Sequence, residues 1–260
     1  MKKFFISRKN RIILSVASIA IMWLAWIIAY YAVGNDYIVP SFQDTFSSLF
    51  VCLGEGSFWV AFSYTLLRTL ASFSISFVLA GVCAVLSATG KIFKGLAEPV
   101  IIVMRTLPTL AVILILLIWT NAAVAPLIVT ALLLFPLIYA QFAAAIDGVD
   151  ADLLQMAKVY GVPKKTVISK IYIPQVAPDI FSQVGANISL GLKVMISAEV
   201  LSNTYKSLGG LMQDARAFLE IPRLAALTLV AVALGLIIEV AFSQLKRINS
   251  KWRKGAESVN

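Results

Sequence analysis

Few side chains in this sequence could do chemistry, and the absences are informative. Histidine does not occur, which removes the commonest metal ligand and the commonest proton shuttle near neutral pH. Of the two cysteines, Cys83 lies inside an apolar run and Cys52 in a polar connection, so neither a disulfide nor a metal cluster is expected. Carboxylates within apolar stretches are limited to Glu199, Glu239 and, at a boundary, Glu98. No G-x-x-x-x-G-K-[ST] phosphate cradle is present, and Gly90-Lys91 and Gly95 fail its spacing. The sequence therefore offers no catalytic residue, no metal site and no nucleotide site. Polar groups set in apolar surroundings remain: Asn187, Lys193 and Glu199 in one run, with Arg68 and Arg105 in two others. A charge inside a bilayer is costly and faces either the interior of a helix bundle or an aqueous path. Lys193 fits a path residue or an ion pair with Glu199 or Glu239. Arg105, near one end of its run, reads more as a snorkelling or loop-anchoring residue, and Arg68 leaves both readings open.

The elements that must hold these residues are membrane helices. Of 260 residues, 60% are hydrophobic and 13% charged, against about 25% charged in soluble domains. Six apolar spans follow, at about 12–33, 62–89, 97–119, 123–145, 177–200 and 224–245. The first follows a basic stretch, as a signal peptide would, but 22 residues suffice to cross a bilayer, so it is read as an uncleaved helix. A net charge of +9 could suggest nucleic acid, but its placement argues against that. Lys2, Lys3, Arg8, Lys9 and Arg11 abut the first span, and Lys246, Arg247, Lys251, Arg253 and Lys254 follow the last. Assigning alternate connections to opposite sides puts 16 Lys and Arg on one side and 3 on the other. The richer side is the cytoplasm, which places both termini and the 146–176 loop there.

That loop is the most informative stretch. Leu153, Leu154, Ala157 and Tyr160 recur at helical spacing, and Asp150 or Asp152 can cap the start. Gly161 stands where a left-handed helix end is wanted. Pro163 can open a second short helix, and Pro174 is read as closing it. A short helix, a sharp turn and another helix suit mechanical coupling to a cytoplasmic partner.

The same stretch resembles the EAA loop of ABC importer permeases, E-A-A, three residues, G, nine residues, I-x-L-P. Here the positions are Gln155, Met156, Ala157, then Gly161, then Ile171, Ile173 and Pro174, with every spacing kept. Gln155 replaces the glutamate, Met156 the first alanine and Ile173 the leucine. The resemblance extends over about 58–252. Arg68, Arg105-Thr106-Leu107-Pro108, Ala198-Glu199 and Gly209-Gly210 are similar to the nitrate, sulfonate and taurine branch. It implies an all-α membrane protein of six transmembrane helices, a single domain with the type I ABC importer permease fold. It also implies that Leu153, Leu154, Gln155, Ala157, Lys158, Tyr160, Gly161, Val162, Pro163 and Lys164, backed by Ile171 and Pro174, form the ATPase-coupling loop. Two separate ATPase subunits would carry ATP and magnesium, and this chain would bind no cofactor. An extracellular or periplasmic binding protein would deliver a small anionic or polar organic solute. A homodimer in the plasma (inner) membrane, surrounded by lipid, would enclose a translocation path holding Asn187, Lys193, Glu199, Arg68 and Arg105.

Small residues mark packing. Ser72, Ser76, Ala80, Ala84 and Ala88 repeat every fourth position, and Ser182, Gly185, Ala186 and Ser189 cluster in the fifth span. Packing within one subunit is the plainer reading, and a dimer seam or pore lining the sharper one for the fifth span. The alternative function is an ion-coupled secondary transporter, which would show inverted repeats and broken helices. Neither is visible in the sequence, although Pro126 and Pro136 could kink the fourth span. A membrane enzyme is disfavoured by the missing catalytic groups.

Overall fold

The computed structural model describes residues 8–257, and side chains from about Leu14 to Gln244. The two terminal basic clusters lie outside the described side chains. Helix α1 (Arg8–Val33) leads to a short helix, α2 (Phe42–Gly54). Ser41 starts α2 by accepting the Asp44 N–H at 3.0 Å, which satisfies one of the four free donors of a helix start. Then come α3 (Gly56–Thr89), α4 (Lys91–Thr106), α5 (Thr109–Trp119) and α6 (Ala125–Asp147). The chain continues through α7 (Ala151–Val159), α8 (Lys164–Val167), a π-helical turn (Ile168–Tyr172) and α9 (Ile173–Ser202). A short helix, α10 (Leu208–Ala217), and α11 (Ile221–Glu257) complete it.

Among the described residues, Gly56–Thr89, Ala125–Asp147, Lys164–Ser202 and Ile221–Gln244 are each long and apolar enough to cross a membrane. Helix α1 carries a shorter apolar stretch, Ala20–Val33. The expected third span, 97–119, is not one helix: α4 and α5 meet at 97°. Pro108 causes the break. Its ring forbids helical geometry at the preceding residue, so Leu107 is extended at φ −63°, ψ 127°. A broken helix therefore does exist in this chain, contrary to the reading of an unbroken span.

A second correction concerns Pro174. It closes nothing; Lys164–Ser202 runs on as one 39-residue helix. The missing proline N–H is absorbed just upstream, where the Ile173 N–H bonds Ile168 O, one residue further back than in an α-helix.

The core is built on small residues. Ser72, Ser76, Ala80 and Ala84 are buried along α3 against α6. Ser72 Oγ donates to Leu127 O at 2.9 Å and Ser76 Oγ to Ala131 O at 2.8 Å. Each such bond between membrane helices is worth about 0.6 kcal/mol. The seam then drifts by one position, because 3.6 residues per turn is less than four. Ala88 is exposed, and Ser87 takes the buried place and accepts the Tyr139 hydroxyl at 2.8 Å. Helix α9 is central and packs on α3, α6, α10 and α11. Gly185 and Gly191 serve contacts inside the subunit, whereas Ala186 is exposed. A Cβ on Gly185 would stand 2.5 Å from Phe242 Cβ, and one on Gly191 3.0 Å from Leu134 Cδ1. Large apolar side chains such as Leu67, Val78 and Ile118 point outward, as a hydrocarbon solvent permits.

Candidate functional site

The 146–176 connection is rigid for local reasons. Asp150 Oδ1 accepts the N–H groups of Asp152 (2.9 Å) and Leu153 (3.4 Å) and so caps α7. At the other end Val162 N–H reaches back to Ala157 O (2.9 Å) and Gly161 N–H to Lys158 O (3.2 Å). These paired bonds require the left-handed residue between them, and Gly161 supplies it at φ +63°. Pro163 then precedes α8, which starts at Lys164. Ala157 and the half-buried Leu154 and Val162 face inward, whereas Leu153, Gln155, Met156, Lys158, Val159, Tyr160 and Gly161 are exposed. Val159 is 81% and Tyr160 78% exposed. Exposed apolar groups beside lysines, outside any span, mark a surface made to be covered.

Lys164 begins the long helix, Ile171 sits in the π turn and Pro174 in the first turn of α9. The Asp150 N–H donates to Gln175 Oε1 at 3.0 Å, which ties the start of α7 to the base of α9.

Higher along α9 the buried polar residues separate into three environments. Asn187 forms a reciprocal amide pair with Gln141 of α6: Asn187 Nδ2 donates to Gln141 Oε1 at 2.7 Å and Gln141 Nε2 to Asn187 Oδ1 at 3.0 Å. Gln141 was missed in the sequence, although an amide in an otherwise apolar span signals it.

Glu199 is fully buried, with a side-chain exposure of 0%. Its partner is Arg68, whose Nη1 lies 3.2 Å from Glu199 Oε1. Glu199 Oε2 accepts the Thr65 hydroxyl at 2.8 Å and the Gly209 N–H at 3.3 Å. Thr65 Oγ1 in turn accepts the Leu208 N–H at 2.9 Å. One carboxylate thus joins α3, α9 and the start of α10. Thr65 carries no signal in the sequence, since threonine is ordinary in such helices.

Lys193 stands apart. The expected ion pair with Glu199 is not formed, because Arg68 occupies that carboxylate; nor does Lys193 pair with Glu239 among the described residues. Its side chain is exposed on α9 and passes Gly235 of α11. Arg105 turns back on the fold and donates from Nη2 to Pro136 O at 3.2 Å, bracing α4 against α6.

This arrangement is a helical scaffold with buried polar contacts and an exposed, locally capped loop at 146–176. Residues 76–254 match the family described as binding-protein-dependent transport system inner membrane component. The chain belongs to this family. The putative aliphatic sulfonates transport permease protein SsuC of Escherichia coli (strain K12) is 26% identical over 219 residues, 83% of this chain and 82% of that one. The taurine transport system permease protein TauC of the same strain is 23% identical over 256 residues, 94% and 90% of the two chains. Among solved structures, the inward-facing methionine ABC transporter MetNI matches with a TM-score of 0.62 at 15% identity, covering 75% of this chain and 98% of that one. A bacterial alginate ABC transporter, in complex with a periplasmic protein bound to an alginate pentasaccharide, matches with a TM-score of 0.62 at 15% identity. That match covers 94% of this chain and 96% of the other.

The permease is thus an all-α, multi-pass inner-membrane protein with the type I ABC importer fold. It is the membrane subunit of an ABC importer and not an enzyme, since ATP hydrolysis belongs to a separate subunit. Membership sets aside the ion-coupled secondary transporter and the membrane enzyme. Among the described residues no three His, Cys, Asp or Glu side chains cluster as a metal site would require.

Proposed function

We propose that two copies of this permease enclose a path for a small anionic or polar organic solute. An extracellular or periplasmic binding protein delivers the solute, and two ATPase subunits holding ATP and magnesium drive its passage. The observation that carries this reading is the loop around Gly161. It presents exposed apolar side chains at a rigid turn and continues into α9 without a break. A push on that surface has a direct route into the membrane. Leu153, Gln155, Lys158, Tyr160 and Lys164 form the ATPase-facing surface. The charge asymmetry supports a cytoplasmic loop and cytoplasmic termini. Labelling of a Lys164→Cys chain by an impermeant maleimide from outside intact cells would reverse that orientation.

Lys193 supports an anionic cargo. It is an exposed cation on the central helix without a carboxylate partner among the described residues, and the aliphatic sulfonates named for one relative are anions. The test is reconstitution with the ATPase and the binding protein, followed by ATP-driven uptake of an aliphatic sulfonate. Lys193→Met is expected to assemble normally and to lose at least about tenfold in uptake, a barrier change of ~1.4 kcal/mol. Lys193→Arg retains part of the rate. Native uptake by a stable Lys193→Met complex removes Lys193 from the path.

A further inference from the structure

The helix that starts at the coupling loop ends at the outer face. Lys164–Ser202 is continuous over 39 residues, a length of about 58 Å at 1.5 Å per residue. At Gln175, in the first turn of α9, it is fastened to the start of α7 through Asp150 N–H and Gln175 Oε1. Its top is fastened to α10 through Glu199, whose Oε2 takes the Gly209 N–H and the Thr65 hydroxyl while Oε1 takes Arg68. Thr204, in the turn between α9 and α10, adds an anchor by donating to Ala122 O at 2.6 Å.

The outer element is strained as well as pinned. Among the described residues the non-glycine positions with positive φ are Asn203 (+49°), Lys206 (+51°) and Leu219 (+58°), all at or beyond the end of α9. Such conformations persist only where the surroundings over-determine them. Toward α9 the turn is closed by the backbone, with the Thr204 N–H donating to Glu199 O at 3.1 Å. On the other side Tyr205, Phe218 and Leu219 are exposed.

We propose that Glu199, Arg68 and Thr65 are positioning residues that latch α10 to the top of the α9 lever, so that the outer loop and the coupling loop shift together. A displacement of α10 from outside is then passed through one buried carboxylate into α9 and down to Lys164, and a pull on the coupling loop is passed the other way. Arg68 and Glu199 do not touch the solute. This rests on the proposed coupling-loop function, and its test is chosen to separate the two.

The first readout needs no partner. In the purified chain, amide hydrogen exchange is followed for Leu208 and Gly209, which donate to Thr65 and to Glu199. Exchange at these amides is expected to rise at least about tenfold in Glu199→Gln and Thr65→Val, with the α3 and α6 amides unchanged. Unchanged exchange at Leu208 and Gly209 overturns the latch, whatever the partners do. The second readout uses the complete complex with ATPase and binding protein. Arg68→Met and Glu199→Gln are expected to keep basal ATP hydrolysis within about twofold of native. The increment evoked by the binding protein falls at least about tenfold, and Arg68→Lys restores part of it. An increment of native size overturns the proposal, as does a proportional fall of basal and evoked rates, the mark of a merely structural role. A native complex that ignores the binding protein counts against the proposed coupling-loop function, and the exchange result then stands on its own.

Discussion

Two glycine-bearing corners, one at each end of α9, are held by opposite means. At the coupling loop Gly161 is left-handed, at φ +63°, and a Cβ added there would meet nothing within 4 Å. Its geometry is dictated by neighbours in sequence: Asp150 begins α7, and Ala157 and Lys158 accept the closing bonds. At the outer corner Gly209 has no left-handed requirement, yet a Cβ there would collide with Glu199 Cβ and stand 2.6 Å from Val200 N and 2.7 Å from Ile196 O. Glu199, which takes its N–H, is ten residues away on another helix, and Thr65, which takes the Leu208 N–H, is 143 residues from Leu208. The first glycine is needed for a backbone angle and the second for closeness. An exposed loop shaped by its own sequence suits a surface that engages a moving partner. A corner shaped by tertiary contact suits an element that must stay in register with the helix beneath it.

The contrast breaks most decisively at Gly209. Gly209→Ala forces a methyl against backbone atoms that cannot rotate away, and overpacking of that kind costs about 3 kcal/mol or more. The expected outcome is loss of monodisperse protein on gel filtration, or a steep fall in melting temperature. A native melting curve for Gly209→Ala would show that the close approach of α10 to α9 is mistaken.

Gly161→Val should behave differently. The added strain is about 1–2 kcal/mol and is confined to a turn with open space around it. The chain should fold and remain in the membrane, while ATP-driven uptake falls at least about fivefold. Gly161→Asn, which tolerates the left-handed region, should keep most of it. Equal uptake by Gly161→Val and the native chain would separate this turn from coupling.

The smallest effect is expected at the helix cap. Asp150→Ala removes the acceptor for Asp152 and Leu153 N–H, worth about 1 kcal/mol. Because the lost bonds are local, faster hydrogen exchange should be limited to the first turn of α7, with α10 unaffected. Spread of the change to Leu208 would mean that the two corners are not independent in the free chain.

How much of this was legible in the sequence depended on the range of the interactions. The geometry of the 146–176 loop was readable almost residue by residue, because caps, a left-handed glycine and a following proline act over three to five positions. Pro174 misled for a related reason. A proline signals a helix end locally, but a π turn just before it can absorb the missing donor. The break at Leu107-Pro108 carried the same kind of local signal inside an apolar run. Charge counting needed no structure either, since it follows from the cost of moving Lys and Arg through lipid.

The buried polar residues were visible as types but not as partners. Lys193 and Glu199, six residues apart on one helix, invited pairing, and Asn187 gave no hint of Gln141. Six residues is about one and two-thirds turns, so the two side chains leave α9 on different faces. The direction of each is set by which neighbour packs there. Glu199 meets Arg68 and Thr65 on α3, and Lys193 runs past Gly235 on α11. By itself the sequence determined a helical membrane chain and the capped, glycine-ended turn of the 146–176 loop, consequences of hydropathy and of short-range backbone geometry. Which carboxylate met which cation, and which small residues let helices close, was decided only by the tertiary structure. Those choices turn on atoms brought within about 3 Å by packing of segments far apart in the chain.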